Sequence, residues 1–201
     1  MNKPKKTALA AVASATILAT PGFSQDAQLD LRFAGALEFS DAGTLFVGDN
    51  YNGAIYAFDM TGGAAPSQVA PVNIGDIDVK IADALGVPKS AIAINDMAVR
   101  PVTAEIMISV SRIGNFESAP AIMKIGQDGI ISLLDLASLP FDKQALDHFP
   151  DQETKFRPRG LGKNPPQIRD LAKGNISLRS LAIMDMEFYA GELFVAGVAF
   201  D

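Results

Sequence analysis

The sequence has no cysteine, no tryptophan and a single histidine among its 201 residues. Without cysteine the chain has no disulfide, no iron–sulfur ligation, no thiol nucleophile and no cysteine-based zinc site. One histidine is too few for a zinc site made of several imidazoles from this chain. With 48% hydrophobic and 20% charged residues, the composition is that of a globular protein and excludes a disordered or collagen-like chain.

The first 24 residues have the pattern of a secretory signal peptide. Three lysines among the first six residues precede an uncharged stretch at 7–20, and Pro21 ends that stretch before a small-residue cleavage site near Ser24. The stretch is shorter than the about 20 apolar residues that a stable membrane span needs. The pattern predicts a periplasmic or secreted protein, with a buried N-terminal helix as the alternative. Because no cysteine follows, a lipoprotein is excluded.

Removal of residues 1–24 makes the chain more acidic. The full sequence carries 17 basic and 23 acidic residues, and the segment takes away three lysines and no acid, which leaves a formal charge of −9. Nucleic acid and anionic membranes bind basic patches, so neither is expected as the main partner. A cation, a small-molecule ligand or a basic protein is easier to accommodate.

Short alternating runs and turn residues indicate a meander of strands. Residues 37–59 read LEFSDAGTLFVGDNYNGAIYAFD, in which turns at 40–43 and 49–53 separate three apolar runs. Asn52-Gly53 accepts the positive φ of a tight hairpin, so the second turn is predicted as a hairpin and not as a calcium loop. Residues 69–74 can supply a fourth, outer strand.

The same order of elements recurs along the chain. Strands are predicted at 95–99, 105–111, 121–125 and 130–134, and a third unit begins with MDMEF at Met184. The equivalent positions Leu37, Met97 and Met186 are 60 and 89 residues apart, whereas a propeller blade takes about 40 to 50 residues. Insertions at about 75–90 and 136–178 account for the difference. In the first, apolar residues at helical spacing before Gly86 predict a short helix, and five prolines in the second predict mostly loop.

Four-stranded antiparallel meanders in series are the units of a β-propeller. We therefore predict an all-β chain of propeller blades at about 35–75, 94–135 and 182–201, with one short helix in an insertion. Two blades and a partial third cannot close a ring, so we expect this chain to be the N-terminal part of a longer protein. A small β-sandwich built from the same strands is the alternative.

Three segments carry a resemblance to a known group: residues 37–59, INDMAVRP at 94–101 and MDMEFYAGELFVAG at 184–197. They resemble blades of bacterial exported β-propellers, the group of senescence-marker/gluconolactonase-like and NHL-like six-bladed proteins. The gluconolactonase-like resemblance implies a divalent cation held by acidic and amide side chains near the central channel. Asn95-Asp96 is similar to such a position, and Asp185 is its equivalent in the third repeat.

Asn95, Asp96 and Asp185 are thus the candidate metal ligands, since hard oxygen atoms suit calcium, magnesium or another divalent cation. The alternative is that these side chains cap turns by binding backbone groups, as Asp and Asn commonly do.

A basic cluster in the second insertion is a candidate anion site. Arg157, Arg159, Lys163 and Arg169 follow one another without an intervening acid. They suit a carboxylate or phosphate, or else form a solvated loop that pairs with acidic neighbours.

His148 could act as a general base beside Asp147 or Asp151, but no G-x-S-x-G nucleophile motif is present for it to serve, which favours an exposed loop histidine.

Two functions follow from these features. The first is an exported propeller scaffold that binds a ligand or protein partner at its channel mouth, with no reaction assigned. The second is a cation-dependent hydrolase of the lactonase type, in which the metal polarises a carbonyl. The substrate, the blade number and the oligomeric state are not encoded in any motif of this chain.

Overall fold

A computed structural model describes residue 23 and residues 28–69, 71–113, 120–147, 149–151, 154 and 177–197. These residues form ten β-strands and one α-helix, and every strand pairing among them is antiparallel. The prediction of a mostly β chain with antiparallel four-stranded sheets and one helix is confirmed. The signal segment other than Phe23 lies outside the described residues.

The strands form three sheets. The central sheet has the order β1-β2-β3-β8, the helix-covered sheet has the order β4-β5-β6-β7, and the C-terminal hairpin pairs β9 with β10. The strands are β1 (Leu37–Phe39), β2 (Thr44–Asp49), β3 (Ala54–Asp59), β4 (Ile92–Val99), β5 (Ile106–Arg112), β6 (Ala121–Ile125), β7 (Ile131–Leu133), β8 (Phe141–Ala145), β9 (Asp185–Tyr189) and β10 (Glu192–Ala196).

Local chemistry sets the turns where the sequence predicts them. Gly53 ends the β2–β3 turn with φ of 66°, and Gly129 has φ of 77° between β6 and β7. Ala190 and Gly191 both have positive φ, 52° and 87°, in the two-residue turn of the C-terminal hairpin. Positive φ at both central residues is the geometry that matches the twist of paired strands. The predicted hairpin turn at 49–53 is confirmed between β2 and β3, with positive φ at Gly53 but not at Asn52.

The fourth strand of the central sheet is not the expected segment. Residues 69 and 71–74 form no strand, and two of their apolar side chains, Val72 and Ile74, pack beside the helix instead. The strand β8 pairs with β3, with Phe141 opposite Phe58. Phe141 is buried against the aromatic rings of the central sheet, whereas the rest of β8 is exposed, as an outer strand allows.

The predicted short helix is confirmed as α1 (Ile77–Ala84). Gly86 follows the helix C-terminus; its φ is 66° and its N–H donates to Asp83 O at 3.0 Å, while Val87 N–H donates to Ala82 O at 3.0 Å. These two bonds form a Schellman motif, which a glycine at this position favours. The helix covers one face of the helix-covered sheet with an apolar layer.

The other face of the helix-covered sheet packs on the central sheet. This first interface contains buried Tyr56, Phe58 and Phe141 from the central sheet and Met107 and Ile122 from the helix-covered sheet. Alternation explains the arrangement, because successive residues of a strand point to opposite faces. Ile106, Ile108 and Val110 therefore face the helix, while Met107, which alternates with them, and Ile122 on β6 face the central sheet.

The opposite face of the central sheet packs on the C-terminal hairpin. This second interface contains Phe46 and Ile55 from the central sheet and Met186, Leu193 and Val195 from the hairpin. The central sheet therefore lies between the two others, although it comes first in the chain. The short strand β1 contacts both β4 and β9.

Gly48 allows the close approach at the second interface. A Cβ atom on Gly48 would lie 2.7 Å from Cγ2 of Ile183, which is buried just before β9. Only glycine leaves room for that contact.

Within the described part of the chain no helix has the length and apolar character needed to cross a membrane.

Candidate functional site

The segment that leads into β1 is bound by three side chains of the helix-covered sheet. Asp96 Oδ2 accepts the Leu37 N–H at 2.8 Å, Asn95 Nδ2 donates to Ala34 O at 2.7 Å, and Ser109 Oγ donates to Gly35 O at 2.6 Å. We call Asn95, Asp96 and Ser109 the inner-strand clamp. It fixes the edge of β1 to the neighbouring sheet.

The clamp completes the hydrogen bonding of this segment. On its other side Gly35 N–H donates to Gly48 O, and Gly48 N–H donates to Ala36 O, each at 2.9 Å. Buried backbone groups need such partners because an unpaired one costs as much as a lost hydrogen bond. The backbone entering β1 is therefore held by β2 on one side and by side chains on the other.

Two of the three predicted metal ligands belong to the clamp. Asp96 uses both carboxylate oxygens, since Oδ1 also accepts the N–H of Met97 at 2.8 Å, and Asn95 Nδ2 also donates to Ser111 Oγ at 2.8 Å. Both residues lie within β4 and bind backbone groups about 60 residues away, so these bonds are not the turn caps that the sequence offered as the alternative.

Asp185, the third predicted ligand, lies on the other side of the central sheet. Its side chain is exposed, and Oδ1 accepts the N–H of Met186 at 2.9 Å. Within the described residues no three histidine, cysteine or acidic side chains are grouped closely enough to hold a metal ion. Calcium or another divalent cation at Asn95, Asp96 and Asp185 stays a prediction.

Three acidic side chains on β4 and β9 act electrostatically on Glu38 of β1. Burial raises the pKa of Glu38 above its ordinary value, the Phe39 N–H opposes this by hydrogen bonding the carboxylate, and the charges of Glu187, Asp185 and Asp96 raise it further. We call Glu38, Asp96, Asp185 and Glu187 the acidic row. Glu38 is its centre, because it is the residue on β1 between the two neighbouring sheets.

Sequence reasoning missed Glu38 and Glu187. The signal was present in the repeat, because LEF at 37–39 and MEF at 186–188 place a glutamate at the same position of two equivalent strands. The second repeat has Ala98 at this position, buried in the first interface. The acidic row therefore has different residue types in the three sheets. A search for Asp and Asn that recur at strand starts does not find its glutamates.

A second polar link joins the central sheet to the C-terminal hairpin. Asn50 Nδ2 donates to Ile183 O at 2.8 Å, and Ile183 N–H donates to Asn50 Oδ1 at 2.9 Å. This reciprocal pair reproduces the bonding of one backbone residue with another.

Elsewhere Arg100 links the helix-covered sheet to the chain after β3, since it donates to Glu105 Oε2 at 2.7 Å and to the Met60 and Gly62 carbonyls.

The predicted anion site and the candidate general base lie outside the described residues. This applies to Arg157, Arg159, Lys163 and Arg169, and also to His148. Asp147 and Asp151, the acids considered as partners of His148, are both exposed.

No family model matches this chain, and no curated protein and no solved structure matches it. The chemistry of the site must therefore be judged from its own residues. The clamp orders the backbone, and the acidic row presents carboxylates that can attract positive charge.

Proposed function

We propose that this chain is an exported scaffold of the β-propeller type that binds a positively charged ligand or protein partner at its innermost strands. The observation that carries the proposal is the adjacency of β1 to both β4 and β9, each the first strand of its sheet. Sheets that stack face to face with their first strands together have the arrangement of neighbouring propeller blades.

Charge supports a cationic partner. Glu38 is half-buried, and the acids that raise its pKa come from both neighbouring sheets. A bound cation would relieve this repulsion, since opposite charge favours the ionised carboxylate. A binding role also fits the clamp, which holds the backbone of the site rigid before any partner arrives.

The cation-dependent lactonase has less support. Such an enzyme needs a metal held by several ligands and a group that moves a proton. Asp96 and Asn95 already bind backbone groups of the central sheet, and Asp185 lies across that sheet from them. We therefore propose binding without assigning a reaction.

Isothermal titration calorimetry of the purified chain tests this function, with calcium chloride and a hexalysine peptide as separate probes. We expect saturable binding of at least one probe. The double variant D185N/E187Q should weaken it by about five- to tenfold, because it removes two exposed charges. Asp83→Asn on α1 is the matched control for loss of an acid, since Asp83 is exposed and absent from the charges acting on Glu38.

The absence of heat with both probes at millimolar concentration would contradict the proposal, as would equal weakening by the control variant. Export is tested separately by N-terminal sequencing of protein recovered outside the cytoplasm. We expect the first residue to lie near position 25, and a sequence beginning at Met1 would show that the signal prediction is wrong.

A further inference from the structure

A buried carboxylate fixes the turn between β2 and β3. Asp49 has no exposed surface, and its Oδ1 accepts the N–H groups of Tyr51 at 2.9 Å and Asn52 at 3.1 Å. Its Oδ2 accepts the Arg32 N–H at 2.8 Å. A carboxylate that accepts this many hydrogen bonds is fixed in position, so the backbones of Arg32 and Tyr51 are held close to each other.

Two arginine side chains contact Tyr51, one at its ring and the other at its carbonyl oxygen. The Cζ atom of Arg32 lies 5.0 Å from the centroid of the Tyr51 ring, which is 46% exposed. Arg179 donates its Nη1 to Tyr51 O at 2.5 Å and its Nε to Pro150 O at 2.8 Å. Its guanidinium also lies 5.1 Å from the centroid of the Phe149 ring. Both cations are therefore positioned by aromatic and backbone contacts.

Neither arginine forms an ion pair with an acidic side chain of the described residues. Asp30, which is two residues before Arg32, lies 3.9 Å from Lys143 Nζ instead. Arginine stacked on an aromatic ring keeps the N–H groups in its own plane accessible.

We propose that Arg32, Arg179 and the Tyr51 turn form a binding site for an oxyanion, either the carboxylate or the phosphate group of a small ligand. Guanidinium groups bind the oxygens of these anions through paired N–H donors. Two of the Arg179 donors hold backbone carbonyls, which orients the remaining ones without a further loss of side-chain freedom. The site shares no residue with the acidic row, so it does not depend on the proposed function.

A titration followed by NMR tests this site with two probes, inorganic phosphate and acetate, at constant ionic strength. We expect saturable shifts of the Arg32 and Arg179 Nε–H resonances and of the Tyr51 amide with at least one probe. Arg32→Gln should weaken binding about tenfold, since hydrogen bonds to charged groups are the strong ones. Arg32→Lys, which keeps the charge but loses the paired donors, should weaken it several-fold.

Lys80→Gln is the matched control, because Lys80 is an exposed cation on α1 and its removal changes the net charge equally. The Lys80→Gln variant should bind each probe with the same affinity as the unaltered chain. The backbone bond from Arg32 to Asp49 survives the Arg32 variants, so the amide spectrum reports whether the turn is intact. Shifts that saturate with neither probe, or equal affinities in Arg32→Gln and Lys80→Gln, would overturn the proposal.

Discussion

The two faces of the central sheet are packed in different ways. Toward the helix-covered sheet, the rings of Tyr56, Phe58 and Phe141 lie 5.8 to 6.2 Å apart in one buried cluster, and the inner-strand clamp adds polar bonds. Toward the C-terminal hairpin, the aromatic contact is the pair Phe46 and Phe188, whose centroids are 5.8 Å apart. The first interface therefore has the larger aromatic core.

Charge also differs between the two interfaces. At the second interface the carboxylate of Glu38 is exposed to the charges of Glu187 and Asp185, whereas the carboxylate of Asp96 at the first interface accepts two N–H groups. Asp96 thus binds the first interface through hydrogen bonds, although its charge also raises the pKa of Glu38.

The largest effect should come from the aromatic cluster of the first interface. Phe58→Ala removes a fully buried ring and leaves a cavity, which lowers the free energy of unfolding by about 3–5 kcal/mol. Phe188→Ala at the second interface should cost about half as much, since Phe188 is only half-buried. Urea denaturation of both variants measures the difference. Equal losses would show that the two interfaces do not differ as described.

Gly48→Ala tests the close approach of the hairpin. The new methyl group would meet Ile183 Cγ2 at 2.7 Å, so we expect a loss of about 1–3 kcal/mol in the free energy of unfolding. Gly75→Ala is the control, because a Cβ there meets no atom within 4 Å. Denaturant melts of the two variants should separate clearly, and matching curves would contradict the packing at Ile183.

The role of the clamp can be tested by comparing Asp96 with Asp185, the residue at the equivalent position of the third repeat. Asp96→Ala leaves the Leu37 N–H without its partner, which costs about 1–2 kcal/mol. Asp185→Ala removes an exposed carboxylate that bonds only to the next residue's N–H among the described contacts, so its effect should stay within about 0.5 kcal/mol. Thermal melts compare the two. Equal destabilisation would mean that Asp96 has no special role.

The smallest expected effect depends on pH. Because the pKa of Glu38 is raised in the folded protein, the folded state binds this proton more tightly than the unfolded state does. The free energy of unfolding therefore falls as pH rises above the ordinary carboxyl value and through the folded-state pKa. Glu38→Gln should stabilise the protein at pH 7 by roughly 0.2–1 kcal/mol and have no such benefit at pH 3. A variant that is less stable than the parent at pH 7 would contradict the raised pKa of Glu38.

Sequence alone predicts the elements that short-range chemistry determines. The turns at Gly53, Gly129 and Gly191 depend on residues that tolerate positive φ, and the helix ends at Gly86 for the same reason. The alternating pattern of β5 separates its two buried faces correctly. Each of these features depends on neighbours a few residues away.

Sequence alone does not predict features that depend on distant partners. The strand β8 has one buried residue, Phe141, followed by exposed ones, so its pattern is weaker than that of residues 69–74. Asn95 and Asp96 are recognisable as oxygen-bearing residues at a sheet edge. Their backbone partners Ala34 and Leu37 are 61 and 59 residues away, and no local pattern reveals them.

The central claim is that β8, and not residues 69–74, completes the central sheet. The paired residues Ala54 and Ala145 allow a direct test, since the chain has no cysteine of its own. In the variant Ala54→Cys/Ala145→Cys, mass spectrometry after mild oxidation of the native protein should show a nearly complete intramolecular disulfide. Thiols that stay free in the folded protein would contradict the claim.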